Sequence, residues 1–199
     1  MGGLAGNDIT FDDWLKSDMM RVADRLNPLP QSLPANQGWP AAVLVGLQEK
    51  KAGWHVVMTR RASHLNHHAG QISFPGGKVD PVDVSLMATA LREAEEEIAV
   101  PPAAVAIIGA LDMVTSPVGF LVQPVVGIVA PETTFVAAPD EVDEVLLLPL
   151  EDVLDPARHR RETYLREGVR REIWVIDHIN LYLWGLSASI LVDLAGRLR

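Results

Sequence analysis

The chain has 199 residues, of which 48% are hydrophobic, so it is long enough for one well-buried domain and does not call for a second. It has no cysteine, which excludes disulfides, a thiol nucleophile and cysteine-ligated metal centres. The net charge of −9 argues against general binding to nucleic acid, and no apolar run approaches the roughly 18 residues needed to cross a membrane. No basic stretch followed by an apolar core opens the chain, so we expect a soluble, cytoplasmic protein.

Residues 1–39 predict an amphipathic helix followed by a proline-rich connection. Apolar residues recur at helical spacing from Phe11 to Leu26, and several prolines then break regular structure before residue 40. We expect the apolar face of this helix to pack on the main domain, residues 40–199. Packing on a second subunit, in a homodimer, is the alternative.

Patterns typical of strands and helices alternate along the main domain. Ala41 to Leu47 and Trp54 to Thr59 predict a hairpin. Further strands are predicted at residues 105–113, 120–129 and 145–148, a second hairpin at 161–166 and 170–176, and helices at 149–155 and 181–198. Pro124 indicates an edge strand or a bulge, because proline has no N–H to give to a sheet. Strands and helices in this order predict a mixed sheet between helices.

The segment from Lys51 to Val79 contains no acidic residue. Its four positive charges are on Lys51, Arg60, Arg61 and Lys78. A local basic strip within an acidic protein suits a small molecule that bears phosphate better than a polymer. Within the strip, the loop from Ala62 to Ser73 holds three histidines: His64, His67 and His68. Adjacent imidazoles rarely reach one ion together, so we expect these side chains to contact phosphate or adenine, or to be exposed.

A glycine turn at Gly76–Gly77 is followed by a short loop and a helix rich in glutamate. At about 100° per residue, Glu93, Glu96 and Glu97 fall within an arc of roughly 100°, beside an apolar stripe. A divalent cation would relieve the repulsion among these carboxylates, and oxygen ligands favour Mg²⁺ or Mn²⁺ over zinc. Glu95 points away and is expected to be solvated. The alternative is a solvated acidic helix face without a metal.

The segment from Gly77 to Val100 resembles the Nudix box. The second half of that pattern is matched by Arg92, Glu93, Ala94, Glu96, Glu97 and Val100. The spacing from Gly77 to Arg92 is one residue longer than the general pattern, and Asp83 stands near its early Glu. Ala99 replaces the final Gly, which makes a left-handed helix cap there less favourable.

Upstream residues are similar to the additional signature of the coenzyme A pyrophosphatase branch of the Nudix superfamily. They are Val57-Met58-Thr59, Arg61-Ala62, Gly70 and Phe74-Pro75-Gly76-Gly77, with Asn66 where the signature usually has Arg. The resemblance implies an α/β/α sandwich with a mixed β-sheet. It also implies hydrolysis of the pyrophosphate bond of coenzyme A or its thioesters with Mg²⁺ or Mn²⁺, giving adenosine 3′,5′-bisphosphate and a phosphopantetheine.

The resemblance also implies a role for particular residues. Glu93 and Glu97 are the firmest metal ligands and Glu96 is the third, while Arg92 lies four residues before Glu96 and is placed to hold its carboxylate. The predicted substrate contacts are Arg60, Arg61, Gln71, Ser73, Phe74, Gly76, Gly77 and Lys78.

The general base and the substrate leave alternatives open. The base is either Glu93 or a carboxylate of the later acidic segment that contains Glu141 and Glu144. The substrate could instead be another nucleoside diphosphate derivative such as ADP-ribose, which lacks the 3′-phosphate that Arg60, Arg61 or Lys78 could contact. A Nudix-fold ligand sensor without turnover is a third interpretation, but binding alone would not need all three glutamates.

Overall fold

The structure is a computed structural model that describes residues 22–30, 38–65, 68–166, 168–178 and 181–198. The main sheet contains strands β1 (Trp39–Lys50), β2 (Gly53–Arg61), β3 (Ile72–Ser73), β4 (Gly76–Lys78), β5 (Val105–Ala110), β6 (Val114–Thr115), β7 (Phe120–Val129) and β8 (Val142–Pro149). A smaller antiparallel sheet contains β9 (His159–Arg166), β10 (Val169–His178) and β11 (Leu181–Trp184). The helices are α1 (Leu86–Ile98), α2 (Leu150–Leu154) and α3 (Gly185–Arg197).

The main sheet is mixed, because β1 runs parallel to β7 and antiparallel to β2 and β4. Alternate residues of its strands enter two separate apolar clusters, as expected when both faces of a sheet are covered. One cluster packs Leu44 and Val57 against Ala90 and Ala94 of α1. The other packs Leu47 and its neighbours against α2, α3 and the smaller sheet. The predicted α/β/α arrangement with a mixed sheet is therefore confirmed.

Helix α1 is fixed at both ends. The Ser85 hydroxyl accepts a hydrogen bond from the Ala88 N–H at 3.1 Å, which caps the N-terminus. Ala99 ends the helix with φ 56° and ψ 34°, so the left-handed cap forms although the residue is not glycine. The N–H groups of Ala99 and Val100 then reach the Glu95 and Ala94 carbonyls at 3.0 and 3.3 Å. These bonds offset a conformational cost of about 1–2 kcal/mol for alanine.

The edge position that was one alternative for Pro124 is wrong, because β7 is an interior strand between β1 and β5. The other alternative, a bulge, agrees with the pairing: between the pairs Ala110–Val125 and Val114–Val122, three residues face only two residues of β7, one of which is Pro124. The pairing of β7 with β5 ends at Ala110, and the next residue, Leu111, donates its N–H to the Pro124 carbonyl at 3.1 Å. The return bond that proline cannot make is supplied by Gln123, whose buried Nε2 donates to the Leu111 carbonyl at 2.8 Å. A neighbouring side-chain amide thus replaces the missing backbone N–H.

Several boundaries also differ from the prediction. The glycine turn at Gly76–Gly77 is the strand β4, which pairs with residues 41–43 of β1. The strand predicted at 145–148 begins at Val142, so Glu144 lies in β8. The strand predicted at 105–113 ends at Ala110. The first residues of the predicted C-terminal helix form β11, which pairs with β10 before α3 begins at Gly185.

The described part of the N-terminal segment contacts the main domain. Residues 22–25 are helical, and the side chains of Val22 and Leu26 are buried in the larger apolar cluster. Asn27 forms backbone hydrogen bonds with Ala110 in both directions, at 2.8 and 3.0 Å. The rest of the predicted helix, residues 11–21, lies outside the described residues. None of the described helices has the length and apolar character needed to cross a membrane.

Candidate active site

Two glycines in β4 allow α1 to approach the main sheet. A Cβ atom at Gly77 would lie 2.4–2.6 Å from the Glu93 carboxylate, so this carboxylate lies directly over the glycine. Gly76 has φ 155°, and a Cβ there would lie 2.4 Å from the Ala42 carbonyl oxygen. The first glycine therefore admits the neighbouring strand, and the second admits a functional side chain.

Arg92 binds several acceptors around the start of α1. Its Nε and one terminal nitrogen donate to the two carboxylate oxygens of Asp83, both at 3.0 Å. Its other terminal nitrogen donates to Glu93 at 2.9 Å and to Glu96 at 2.8 Å, and a further bond reaches the Lys78 carbonyl at 3.1 Å. The predicted contact between Arg92 and Glu96 is thus present. The same guanidinium also fixes Glu93 and the loop before the helix.

Asp83 is a positioning residue that the sequence marked only by its place in the motif. Its side chain is 3% exposed and accepts further hydrogen bonds from the Thr89 hydroxyl and the Asp80 N–H, both at 2.8 Å. The paired hydrogen bonds from Arg92 lower its pKa, so the carboxylate is charged at neutral pH. The ion pair between Asp83 and Arg92 therefore secures the loop between β4 and α1.

Glu93, Glu97 and Glu141 form an electrostatically coupled group. Burial, and to a lesser extent the nearby carboxylates of Glu93 and Glu141, raise the pKa of Glu97 to about 8, although Arg61 and the Gly76 backbone N–H act in the opposite direction. Burial also raises the pKa of Glu93, although Arg92 opposes that change. Two partly desolvated carboxylates in mutual repulsion are the environment in which a hard divalent cation is stabilising.

The chemistry of these carboxylates fits a divalent cation. Arg92 also places positive charge next to them, because it donates hydrogen bonds to Glu93 and Glu96. Within the ranges that the structure describes, no group of three or more His, Asp or Glu side chains converges closely enough to hold a metal ion. Glu96 has a side chain that is 57% exposed and turned to Arg92. Glu95 is exposed, as predicted from the helix phase. Glu93 and Glu97 are therefore the two best-placed oxygen donors.

The structure gives different surroundings to the two members of each predicted pair, Arg60 and Arg61 in one and Glu141 and Glu144 in the other. Arg60 donates to Glu144 at 3.1 Å, and the two are direct partners in the register of β2 and β8. Arg61 interacts electrostatically with Glu97, and Glu141 does so with both Glu93 and Glu97. One arginine and one glutamate from these pairs therefore belong to the acidic centre, and the other two form an ion pair with each other.

A cavity of about 710 Å³ begins at Gly77 and Lys78, next to this acidic centre. All the predicted substrate contacts except Arg60 line it: Arg61, Gln71, Ser73, Phe74, Gly76, Gly77 and Lys78. Lys78 lies over the Phe120 ring, with Nζ 5.2 Å from the ring centroid. Lys51, in the turn between β1 and β2, does not line the cavity.

The three histidines predicted in the loop from Ala62 to Ser73 differ in their relation to the cavity. His68 lines the cavity, and its Nδ1 lies 2.8 Å from the Gln71 side-chain oxygen. His64 does not line the cavity, and His67 lies outside the described residues.

The opposite wall of the cavity was not predicted from the sequence. It comes from the smaller sheet and the start of α3, and it includes Arg171, Ile173, Trp184 and Leu186. These residues are more than 70 positions beyond the end of the motif in the chain, and no local pattern connects them to it. The alternation of Arg171 and Ile173 on one face of the second predicted hairpin was the available signal.

Comparison with known proteins identifies the family. The NUDIX domain model matches residues 38–172. The Nudix hydrolase NudL of Shigella flexneri serotype 5b is 38% identical over 187 residues, which cover 94% of this chain and 94% of that protein. NudL of Salmonella paratyphi B is 42% identical over 160 residues, covering 80% and 82% of the two chains. The chain therefore belongs to the Nudix family.

A solved structure agrees at the level of the fold. A MutT/nudix family protein from Enterococcus faecalis matches with a TM-score of 0.51, at 18% identity, over 98% of this chain and 75% of that one. Nudix hydrolases act on small nucleotide-derived substrates and generally use divalent metal ions. The protein is accordingly a Nudix pyrophosphohydrolase.

Proposed function

We propose that this enzyme hydrolyses the pyrophosphate bond of coenzyme A or an acyl-coenzyme A with Mg²⁺ or Mn²⁺. The products are adenosine 3′,5′-bisphosphate and the corresponding 4′-phosphopantetheine. Support comes first from the signature upstream of the Nudix box, in particular Arg61 and Phe74-Pro75-Gly76-Gly77, most of which lines the cavity.

The observation that carries the proposal is the composition of the cavity next to Glu93. Its cations Arg61 and Lys78 line it together with Gly77, over which the Glu93 carboxylate lies, and they can bind an anionic diphosphate there. Much of the remaining wall is apolar, including Val43, Val122 and Ile173. At about 710 Å³ the cavity lies within the usual range for small-molecule sites and suits an elongated substrate with a charged bridge and a less polar arm.

The metal site is assigned to the glutamates of α1. Glu93 and Glu97 would hold the cation, and Glu96 would join them when its carboxylate turns away from Arg92. A bound divalent cation lowers the pKa of a water ligand and neutralises charge on the phosphoryl oxygens. Arg92 keeps Glu93 oriented through the ion pair that it forms with Asp83.

We assign the role of general base to Glu141, with Glu93 as the alternative. Glu141 immediately precedes β8 and interacts electrostatically with the half-buried Glu93 and the buried Glu97, whereas Glu144 is paired with Arg60. Replacement of Glu141 by Gln should therefore lower kcat more than it raises KM, and Glu144→Gln should retain wild-type kinetics. Wild-type kinetics in both variants would return the role of base to Glu93.

Product identification tests the function directly. Purified enzyme would be given coenzyme A, ADP-ribose, a dinucleoside polyphosphate and nucleoside triphosphates, each with Mg²⁺ or Mn²⁺ and each with excess chelator. We expect the highest kcat/KM with coenzyme A or an acyl-coenzyme A and no turnover in chelator. A clear preference for ADP-ribose would favour the other nucleoside diphosphate class, and tight binding without turnover of any compound would favour the sensor.

A further inference from the structure

The cavity wall formed by the smaller sheet carries its own cation, Arg171. Successive residues of β10 point to opposite faces, and Arg171 and Ile173 both line the cavity, as does Trp184 of β11. This face of the smaller sheet therefore lines the same cavity as β4. Arg170, the preceding residue, is exposed and does not line the cavity.

Another arginine on the same face, Arg160, is paired with acidic side chains, as expected for a structural role. Arg160 lies opposite Val175 in the register of β9 and β10, so it shares the face of Arg171. It is held by Asp177, with Nε 2.7 Å from a carboxylate oxygen, and it also contacts Glu162. Within the part of the chain that the structure describes, Arg171 makes no side-chain hydrogen bond or ion pair. In a protein of net charge −9, an unpaired guanidinium at the wall of a cavity fits an anionic ligand group.

The other two cations that line the cavity, Arg61 and Lys78, belong to the part of it that is next to the glutamates of α1. Arg61 lines the cavity together with Gly76 and Gly77 and interacts electrostatically with Glu97, and Lys78 follows Gly77, over which the Glu93 carboxylate lies. Both are placed to bind the diphosphate. Arg171 belongs to a different sheet but lines the same cavity, so it is available to a further anionic group of the ligand.

We propose that Arg171 is a specificity-determining residue that binds a second phosphate group of the substrate, namely the phosphomonoester on the ribose 3′-oxygen. This inference rests on the proposed function, because coenzyme A carries that group and ADP-ribose does not. It moves the recognition of the 3′-phosphate from Arg60 and Arg61, where the sequence placed it, to the smaller sheet. Arg60 is paired with Glu144, and Arg61 adjoins the reacting centre.

Kinetics on two matched substrates test the assignment. Arg171→Ala should lower kcat/KM for coenzyme A about 10-fold and change it less than about twofold for 3′-dephospho-coenzyme A, since a charged contact at an exposed side chain is worth about that factor. The matched control is Arg170→Ala, which removes the same charge from the other face of β10 and should leave both values unchanged. Arg61→Ala should lower kcat/KM for both substrates by a similar factor. Equal losses on both substrates with Arg171→Ala, or no loss on either, would overturn the inference.

Equilibrium binding separates this inference from the proposed function. In chelator, wild-type enzyme should bind adenosine 3′,5′-bisphosphate more tightly than AMP, and Arg171→Ala should remove most of that difference, while Arg171→Lys should restore part of it. If wild-type enzyme makes this distinction but does not hydrolyse coenzyme A, the proposed function fails and the role of Arg171 stands. If wild-type enzyme binds the two nucleotides equally, the role of Arg171 fails whatever the enzyme hydrolyses.

Discussion

Replacement of Gly77 by Ala should damage catalysis while sparing the fold. The added Cβ would lie 2.4–2.6 Å from the three atoms of the Glu93 carboxyl group, far inside van der Waals contact, so that group must retreat by about 1 Å. The retreat also disturbs its 2.9 Å hydrogen bond from Arg92. A misplacement of this size in a catalytic constellation lowers the rate about 100-fold. Because the obstacle is the flexible end of a side chain, the loss of stability should not exceed about 1 kcal/mol.

The matched variant is Gly76→Ala, in which the added Cβ would meet backbone atoms of the neighbouring strand rather than a side chain. Its Cβ would lie 2.4 Å from the Ala42 carbonyl oxygen and 2.6 Å from the Val43 Cα, and the residue has φ 155°. We expect this variant to lose several kcal/mol of stability, because neither the neighbouring strand nor the alanine backbone can adapt cheaply. Thermal denaturation and kcat with coenzyme A and Mg²⁺ would be measured for both variants. A Gly77→Ala enzyme with wild-type kcat would refute the placement of Glu93 in the reacting centre.

Three further changes test local parts of the structure. Ala99→Gly should stabilise the protein by about 1 kcal/mol in urea denaturation, because residue 99 is left-handed; a loss of stability would contradict that cap. Gln123→Ala should destabilise it by about 1–3 kcal/mol, since the Leu111 carbonyl loses its donor, and an unchanged urea midpoint would show that the bond is dispensable. Arg92→Lys should lower kcat 10- to 100-fold, roughly the effect of disturbing residues that orient metal ligands, because lysine cannot bind both oxygens of Asp83. Wild-type kcat in that variant would exclude Arg92 as a positioning residue.

The phase of the glutamates could be predicted from the sequence because it is a local property. The helical period separates Glu95 from Glu93, Glu96 and Glu97 and places Glu95 in solvent, and Glu95 is exposed in the structure. The burial of Glu97, which is 4% exposed, was not predicted. The predicted contact between Arg92 and Glu96 is likewise set by a spacing of four residues within one helix. Such features need only the geometry of α1.

The features that were missed depend on contacts between distant segments. Pro124 lies in an interior strand where Gln123 reaches the Leu111 carbonyl, a contact that the order of residues does not reveal. Arg171 enters the cavity because the smaller sheet closes over the main sheet. The separation of Arg60 from Arg61 depends on Glu144 lying opposite Arg60 in a strand more than 80 residues later. Tertiary arrangement, rather than residue type, decides each of these cases.

The most direct test of the account compares Glu97→Gln with Glu95→Gln, using coenzyme A as substrate and Mg²⁺ or Mn²⁺ as the cation. Both substitutions keep the size of the side chain and remove one charge, but Glu97 is 4% exposed beside Glu93 whereas Glu95 is exposed on the outer face of α1. We expect Glu97→Gln to lower kcat by two or more orders of magnitude with the fold intact, and Glu95→Gln to stay within about twofold of wild type. Near-wild-type turnover by Glu97→Gln, or an equal loss in both variants, would contradict a metal-dependent centre built on this face of the helix.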